Sequence, residues 1–330
     1  MMDSSRTIQW GILGCGRIAR KLVKSMRVVE GAEVVAAASN TPGKAEAFCE
    51  EHGIAKASKS YKKLLSDRKV DVVYIANTHN FHCETALAAL KAGKHVLCEK
   101  PMAINSAEAR QMVDAARKYN CFLMEGMWTR FLPVMVQVRD WLQQDRIGKL
   151  KQVHASFGVP ISETPRIHDP KLAGGALLDL GIYPLSFVSM VMGGKRPVAM
   201  QAFCELLDSG VDASSIIHMK YPGRVMADVK SCCIHELPNN AWIIGSKGSI
   251  QIPAMMFRAE SATLVIGEEK ETQQFPENKD EAFSYQIEEV NRCIREGRME
   301  SDIMPLDETI LIAELMDALR AQWGVRYPGE

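Results

Sequence analysis

Two clusters in this chain combine residue types that could move a hydride and a proton together. The first is Cys98-Glu99-Lys100-Pro101, at the end of a β-type run. Parallel α/β sheets bind their ligands along the edge where the strands end. A lysine there would hold a fixed positive charge beside a substrate oxygen. Read by spacing alone, Lys100 could equally be a solvated surface residue. The second cluster is the glycine-rich stretch 173–184, which carries Asp179 and Tyr183 four residues apart. On a helix that spacing puts both side chains on one face. Oxidising an alcohol requires a proton carrier at its oxygen, and a phenol beside an ammonium can be that carrier. The competing reading is a glycine-broken helix with Tyr183 in the core and Asp179 as a cap.

A third motif supplies the partner for a hydride. Gly14-Cys15-Gly16-Arg17-Ile18-Ala19 follows a strand-like run and opens a helix-like one. This is GxGxxA in a dinucleotide-binding context. The first glycine allows a tight turn, the second lets pyrophosphate approach the backbone, and Ala19 lets helix pack on strand. Gly14, Gly16, Arg17 and Ile18 are therefore candidate cofactor residues. An NAD site usually ends its second strand in an acid, but this chain reads Ser39-Asn40-Thr41. A carboxylate would repel a 2′-phosphate, so its absence favours NADP, with NAD as the alternative. Ser39 and Asn40 would face that phosphate, and Lys44 could add charge.

The elements that must position these residues follow from periodicity. Up to about residue 126, strand-like runs (8–13, 33–39, 70–77, 94–99, 122–126) alternate with helix-like ones (17–29, 43–52, 61–66, 81–92, 106–119). Alternation of this kind predicts a doubly wound parallel sheet, a Rossmann domain over 1–126. Beyond it, a helix over 133–144 precedes strand-like runs at 150–159, 197–206, 214–222, 225–235, 241–253 and 262–271. Their short turns predict a second α/β domain, 127–330, with a largely antiparallel open-faced sheet. Helices are expected near 282–296 and 307–322, the last packing back on the first domain.

Bulk properties narrow the class. The 330 residues are 47% hydrophobic and 24% charged, with 40 basic against 40 acidic side chains. A balanced charge argues against nucleic acid and anionic membrane as partners and for a small molecule. Nine scattered cysteines, no basic-then-apolar leader and no apolar run of about 18 residues lead to an expected cytoplasmic location. His79-x-x-His82-Cys83 has ligand-like spacing, but no second pair accompanies it, so no metal is expected. Met255-Met256-Phe257 reads as core or subunit surface.

GxGxxA, Glu99-Lys100-Pro101 and GGALLDLGIY together resemble the glucose–fructose oxidoreductase/inositol dehydrogenase (Gfo/Idh/MocA) family, most nearly its dimeric dihydrodiol dehydrogenase branch. The likeness runs along nearly the whole chain. It implies an NAD(P)-dependent dehydrogenase acting on CH–OH groups, with Tyr183 as acid/base, Lys100 beside nicotinamide and substrate, and Asp179 orienting both. Glu99 would help place the cofactor ribose, and the Lys100–Pro101 bond would be cis. His79, His82, Tyr74 and Asn77 would line the cofactor side. Trp128, Arg130 and Phe157 would border the substrate, in a cleft between the domains. The implied substrate is a cyclic vicinal diol, either a trans-dihydrodiol or an aldose such as D-xylose, and the implied assembly a homodimer through the open sheet. The branch tends to carry Arg where this chain has Asn40. Two alternatives stand beside this reading: an NAD-dependent glycosidase, as some members of the wider family are, and, from another class, a non-catalytic NADP-sensing regulator.

Overall fold

The computed structural model describes residues 6–275, 281–328 and 330. They form two compact units: 6–128 with 281–309, and 129–275 with 310–330.

The first unit holds β1 (Ile8–Leu13), α1 (Arg17–Met26), β2 (Ala32–Ala38), α2 (Lys44–His52), β3 (Ala57–Ser58), α3 (Tyr61–Leu65), β4 (Val72–Ile75), α4 (His82–Lys91), β5 (His95–Glu99), α5 (Ser106–Tyr119) and β6 (Leu123–Gly126). All strand pairs are parallel, in the order β3-β2-β1-β4-β5-β6. The order reverses between β1 and β4, the crevice where such sheets take their ligands. Every residue of β4 is buried, as a central parallel strand requires. The helices start and stop on local signals. In α5 the Asn105 side chain accepts from the Glu108 N–H at 2.9 Å, and Asn120 ends the helix at φ 51°. Its buried Ala109, Met112, Val113 and Ala116 follow the 3–4 residue spacing of one face.

The second unit begins with α6 (Pro133–Gln143), β7 (Leu150–Gly158) and the short α7 (Pro165–His168). A π-helical turn, Leu177–Gly181, then runs into α8 (Ile182–Met192). Seven strands follow: β8 (Ala199–Leu206), β9 (Asp212–Tyr221), β10 (Val225–Cys232), β11 (Ala241–Gly245), β12 (Ser249–Ile252), β13 (Ser261–Ile266) and β14 (Glu269–Gln274). The eight strands order as β14-β13-β12-β11-β7-β10-β9-β8. Only β7 with β10 is parallel, so the sheet is mixed and mostly antiparallel. The stretch 241–253 is a hairpin turning at Gly245-Ser246-Lys247-Gly248, where the glycines predict a turn, and the strand-like run at 262–271 also divides into a hairpin, at Gly267.

The chain then returns. Helix α9 (Ser284–Arg295) belongs to the first unit, where Asn291 Oδ1 accepts from Trp10 Nε1 at 3.1 Å and Arg295 donates to the Gly31 carbonyl at 3.0 Å. Helix α10 (Leu306–Trp323) starts in the first unit, and from Ile310 onward it belongs to the second. The helix expected to pack back on the first domain, 307–322, thus lies in the second unit from Ile310, and it is α9 that joins the first. One further expectation needs correcting. The stretch Pro170–Met192 is long and apolar enough to cross a membrane, with hydropathy 1.5, and 83% of that window is buried inside the fold. It is a core element, and it carries Asp179 and Tyr183.

Candidate active site

The glycine loop is shaped for a dinucleotide. Gly14 sits at φ 100°, and a Cβ there would lie 2.6 Å from both the Ala76 carbonyl carbon and the Asn77 nitrogen. Gly16 caps α1 with no side chain over its first turn, and a Cβ on it would meet nothing nearer than Ala76 O at 3.9 Å. The N–H groups of that turn are therefore open to an anion. Asn77 donates to Thr85 Oγ1 at 2.9 Å, while its buried Oδ1 has no hydrogen-bond partner among the described residues. An open cradle beside an orphaned buried acceptor fits a bound nicotinamide dinucleotide. Arg17 is exposed and Ile18 half-buried at the mouth of this loop. At the end of β2, Ser39 Oγ accepts from the Thr41 N–H at 3.1 Å, and Asn40 and Lys44 are exposed with no acid between them.

The loop after β5 is held from several sides. Tyr74, fully buried on β4, donates its hydroxyl to the Glu99 carboxylate. Burial pushes the Glu99 carboxyl up to about 7, against the pull of the Tyr74 bond. The Lys100–Pro101 bond is cis, and Lys100 is half-buried. The His82 ring nitrogens lie 2.8 Å from the Pro101 carbonyl and 3.2 Å from the Asn77 carbonyl. Burial lowers His82 to about 4, so the ring is neutral at pH 7. Met102 N–H donates to Glu125 Oε1 at 2.8 Å, and Thr309 donates to Glu125 Oε2 at 3.1 Å. His82 and Tyr74 were expected to line the cofactor. Polar atoms of both tie the Lys100 loop to its neighbours, because in a buried loop each backbone carbonyl and carboxylate needs a donor. His79 is half-buried, edge-on to His82. Among the described residues no three His, Cys, Asp or Glu side chains gather as metal ligands.

In the second unit the π-turn and α8 carry Asp179 and Tyr183. Wide π-turns are rare and recur at functional sites. Asp179 is gripped by Arg166 from α7, with Nη1 to Oδ1 at 2.7 Å and Nη2 to Oδ2 at 3.0 Å. Tyr183 stands against two aromatic rings, Phe157 edge-on at 5.4 Å and Phe257 at 5.7 Å, and those two stack on each other at 4.4 Å. The Tyr183 phenol thus shares its wall with flat apolar surface. Arg130 is only 2% exposed, and its guanidinium donates to the Ser186 hydroxyl and carbonyl on α8 at 2.8 and 2.7 Å. These bonds anchor α8. Trp128, in the first unit, stacks on Phe283 at 5.1 Å.

Sequence reasoning missed Arg166 and Phe257. Arg166 lies 13 residues from Asp179, a spacing with no periodic meaning. Phe257 had been read with Met255 and Met256 as core or surface. Met256 is indeed fully buried, but Phe257 turns toward Tyr183.

A doubly wound parallel sheet with an open glycine cradle, joined in one chain to a mixed-sheet unit whose π-turn and helix α8 carry an Asp–Tyr pair, defines a nicotinamide-dependent oxidoreductase. Comparison with known proteins narrows this further. Residues 8–127 match the oxidoreductase family with an NAD-binding Rossmann fold, and 135–251 match the GFO/IDH/MocA C-terminal domain. The chain belongs to the Gfo/Idh/MocA family of oxidoreductases. It is 40% identical over 328 residues to trans-1,2-dihydrobenzene-1,2-diol dehydrogenase of Xenopus laevis, covering 97% of this chain and 99% of the relative. The mouse protein of that name is 39% identical, covering 97% and 98%. Among solved structures, an aldose-aldose oxidoreductase from Caulobacter crescentus, complexed with glycerol, superposes with a TM-score of 0.87 at 25% identity, covering 97% of this chain and 98% of that one. A 3-ketoreductase from Actinomadura kijaniata with NADP gives 0.79 at 25% identity, covering 96% and 97%. That reductase has also been solved with a tyrosine replaced by phenylalanine and with a lysine replaced by alanine.

Proposed function

We propose that this dehydrogenase moves hydride reversibly between a secondary alcohol of a cyclic vicinal diol and a nicotinamide cofactor, with NADP preferred and NAD accepted. The substrate class is a trans-dihydrodiol or an aldose such as D-xylose. Both present neighbouring hydroxyls on a six-membered ring. The observation that carries the reading is Tyr183 set against Phe157 and Phe257 one helical turn from the Arg166-held Asp179. The aromatic rings suit a flat or apolar ring face, and the carboxylate suits a second hydroxyl.

When bound, the nicotinamide supplies the hydride acceptor or donor. The first turn of α1, Gly14 and Gly16 would hold its pyrophosphate, with Ser39, Asn40 and Lys44 toward the adenosine ribose. The Tyr183 phenolate would take the hydroxyl proton as the carbon is oxidised, and return it in reduction. The Lys100 ammonium would stabilise both the phenolate and the developing oxyanion. Asp179 would accept from a neighbouring hydroxyl and so fix which carbon reacts.

The second unit would pair with a copy of itself through its open sheet face. Phe203, Ile216, Met226 and Trp242 are 76, 42, 55 and 37% exposed there, and strand register puts them on one side. An apolar patch of that kind marks an interaction surface. Light scattering on Phe203→Asp with Ile216→Asp should show a monomer where the parent shows a dimer.

The deciding experiment is a spectrophotometric screen of sugars, inositols and dihydrodiols with NADP and with NAD. Reduction of cofactor by a vicinal diol supports the reading. Sugar release without net reduction, or cofactor binding without any turnover, would replace it with a glycosidase or a sensor.

A further inference from the structure

Outside the residues that would meet substrate, one buried carboxylate is aimed at the catalytic segment from a distant strand. Asp212 opens β9 and is 0% exposed. Its Oδ2 accepts from the N–H of Leu177, the first residue of the π-turn, at 2.5 Å. Burial pushes its carboxyl up to about 6, while bonds from the Leu177 and Ala176 backbone pull it down.

The two glycines before that turn are explained by close contacts of the segment, one of them with Asp212. Gly175 sits at φ 111°, and a Cβ on it would lie 2.2 Å from Asp212 Oδ1. A Cβ on Gly174 would lie 2.3 Å from the Ile167 carbonyl oxygen. That carbonyl accepts from the Gly175 N–H at 2.8 Å, and Asp169 O accepts from the Gly174 N–H at 3.1 Å. From the other end of the unit, Tyr327 donates its hydroxyl to the Gly174 carbonyl at 2.7 Å. Tyr327 is 3% exposed, and the guanidinium of Arg320 lies 4.5 Å over its ring. Arg320 in turn pairs with Asp317 at 2.9 Å and Glu330 at 2.6 Å. Successive peptide groups of the segment are thus fixed by a carboxylate, a backbone carbonyl and a phenol drawn from three separate parts of the chain.

We propose that Asp212 and Tyr327 are positioning residues that clamp the segment from Gly174 to Leu177 and thereby fix where Asp179 and Tyr183 stand. The proposal rests on the function given above, since it matters only if those two side chains act on substrate. The physical case is leverage. Asp179 is two residues beyond the Asp212 contact, and Tyr183 is one further turn along the same helical run. A charged acceptor at the start of that run both satisfies its open N–H groups and opposes its positive end. Misplacing a reacting group by about 1 Å can lower turnover on the order of a hundredfold.

The test uses the full chain with Asp212→Asn and Tyr327→Phe, read two ways. Hydrogen exchange of peptides spanning 174–183 should speed up more than tenfold in Asp212→Asn and severalfold in Tyr327→Phe, with the loop 14–19 unchanged. Turnover should fall more than tenfold and severalfold respectively, the pH profile of kcat should shift, and the cofactor Kd should stay within twofold. Parental exchange rates in both variants would overturn the clamp. Faster exchange with parental turnover and pH profile would overturn the positioning role. If Asp212→Asn does not fold, Tyr327→Phe, which removes a single hydroxyl, decides by the same readouts. Tyr183→Phe run alongside tests the underlying function separately, because it should lose turnover while its 174–183 exchange stays parental.

Discussion

Arg166 holds Asp179 by both guanidinium nitrogens, at 2.7 and 3.0 Å, with side-chain exposures of 35% and 12%. A forked pair fixes the plane of the carboxylate as well as its position. Replacing Arg166 with methionine removes both of these bonds from Asp179. The expected loss in kcat/KM is about ten- to a hundredfold, corresponding to the ~1.5–3 kcal/mol of a hydrogen bond to a charged group. Arg166→Lys keeps the charge but not the fork, so it should recover only part. Steady-state kinetics with the best diol from the screen measures both.

Lys100→Met and Tyr183→Phe should each lower kcat by about 10²–10⁴-fold, the usual contribution of a positioned acid or base. Neither residue is in the glycine cradle, so cofactor binding should persist in a fluorescence titration. Near-parental turnover in both variants would remove the mechanism. Gly14→Ala should do the reverse. Its Cβ would be driven into the backbone at Ala76 and Asn77, so cofactor binding and folding stability should both suffer.

Cofactor choice turns on Asn40. The site offers an exposed amide and Lys44 but no guanidinium at the strand tip. Asn40→Arg should raise the ratio of kcat/KM for NADP over NAD by about tenfold or more, since a fork matches phosphate oxygens. An unchanged ratio would place the 2′-phosphate elsewhere.

Glu99 makes a prediction with a definite sign. Burial raises its carboxyl from 4.5 to about 7. Between those values the folded state keeps a proton that the unfolded chain releases. The associated stability is therefore full below about pH 4.5 and lost as pH rises through 7. Glu99→Gln cannot ionise, and its side-chain carbonyl can still accept from Tyr74. It should melt higher than the parent at pH 8, by on the order of 2 kcal/mol or a few degrees, with the gap closing by about pH 5. A lower melting temperature at pH 8 would show that the Tyr74 bond and the Lys100 charge outweigh burial.

Much of the first unit was readable from its residues. Strand β1 and helix α5 fall where periodicity put them, because a helix start at Asn105 or a glycine turn at Gly14 is decided within a few residues. The glycines of Gly245-Ser246-Lys247-Gly248 marked a turn in the sequence, whereas the turn at Gly267 was less plain, since an apolar run does not show where a strand bends back on itself. The hydrogen bonds made by Tyr74 and His82 were not readable for a related reason. Motif position puts a residue in a loop, but it does not say which way the side chain points.

By itself the sequence determined the parallel nucleotide-binding unit, its glycine cradle, and the presence of a lysine, an aspartate and a tyrosine suited to alcohol chemistry. Those depend on short-range spacing and on residue type. Only the tertiary structure decided that Arg166 grips Asp179, that Phe257 faces Tyr183, that α9 returns to the first unit, and that Asp212 and Tyr327 hold the glycine-rich segment. The last two contacts join residues 35 and 153 positions apart. No local pattern marks such pairs, because they form only when packing brings distant strands and tails against the same few peptide groups.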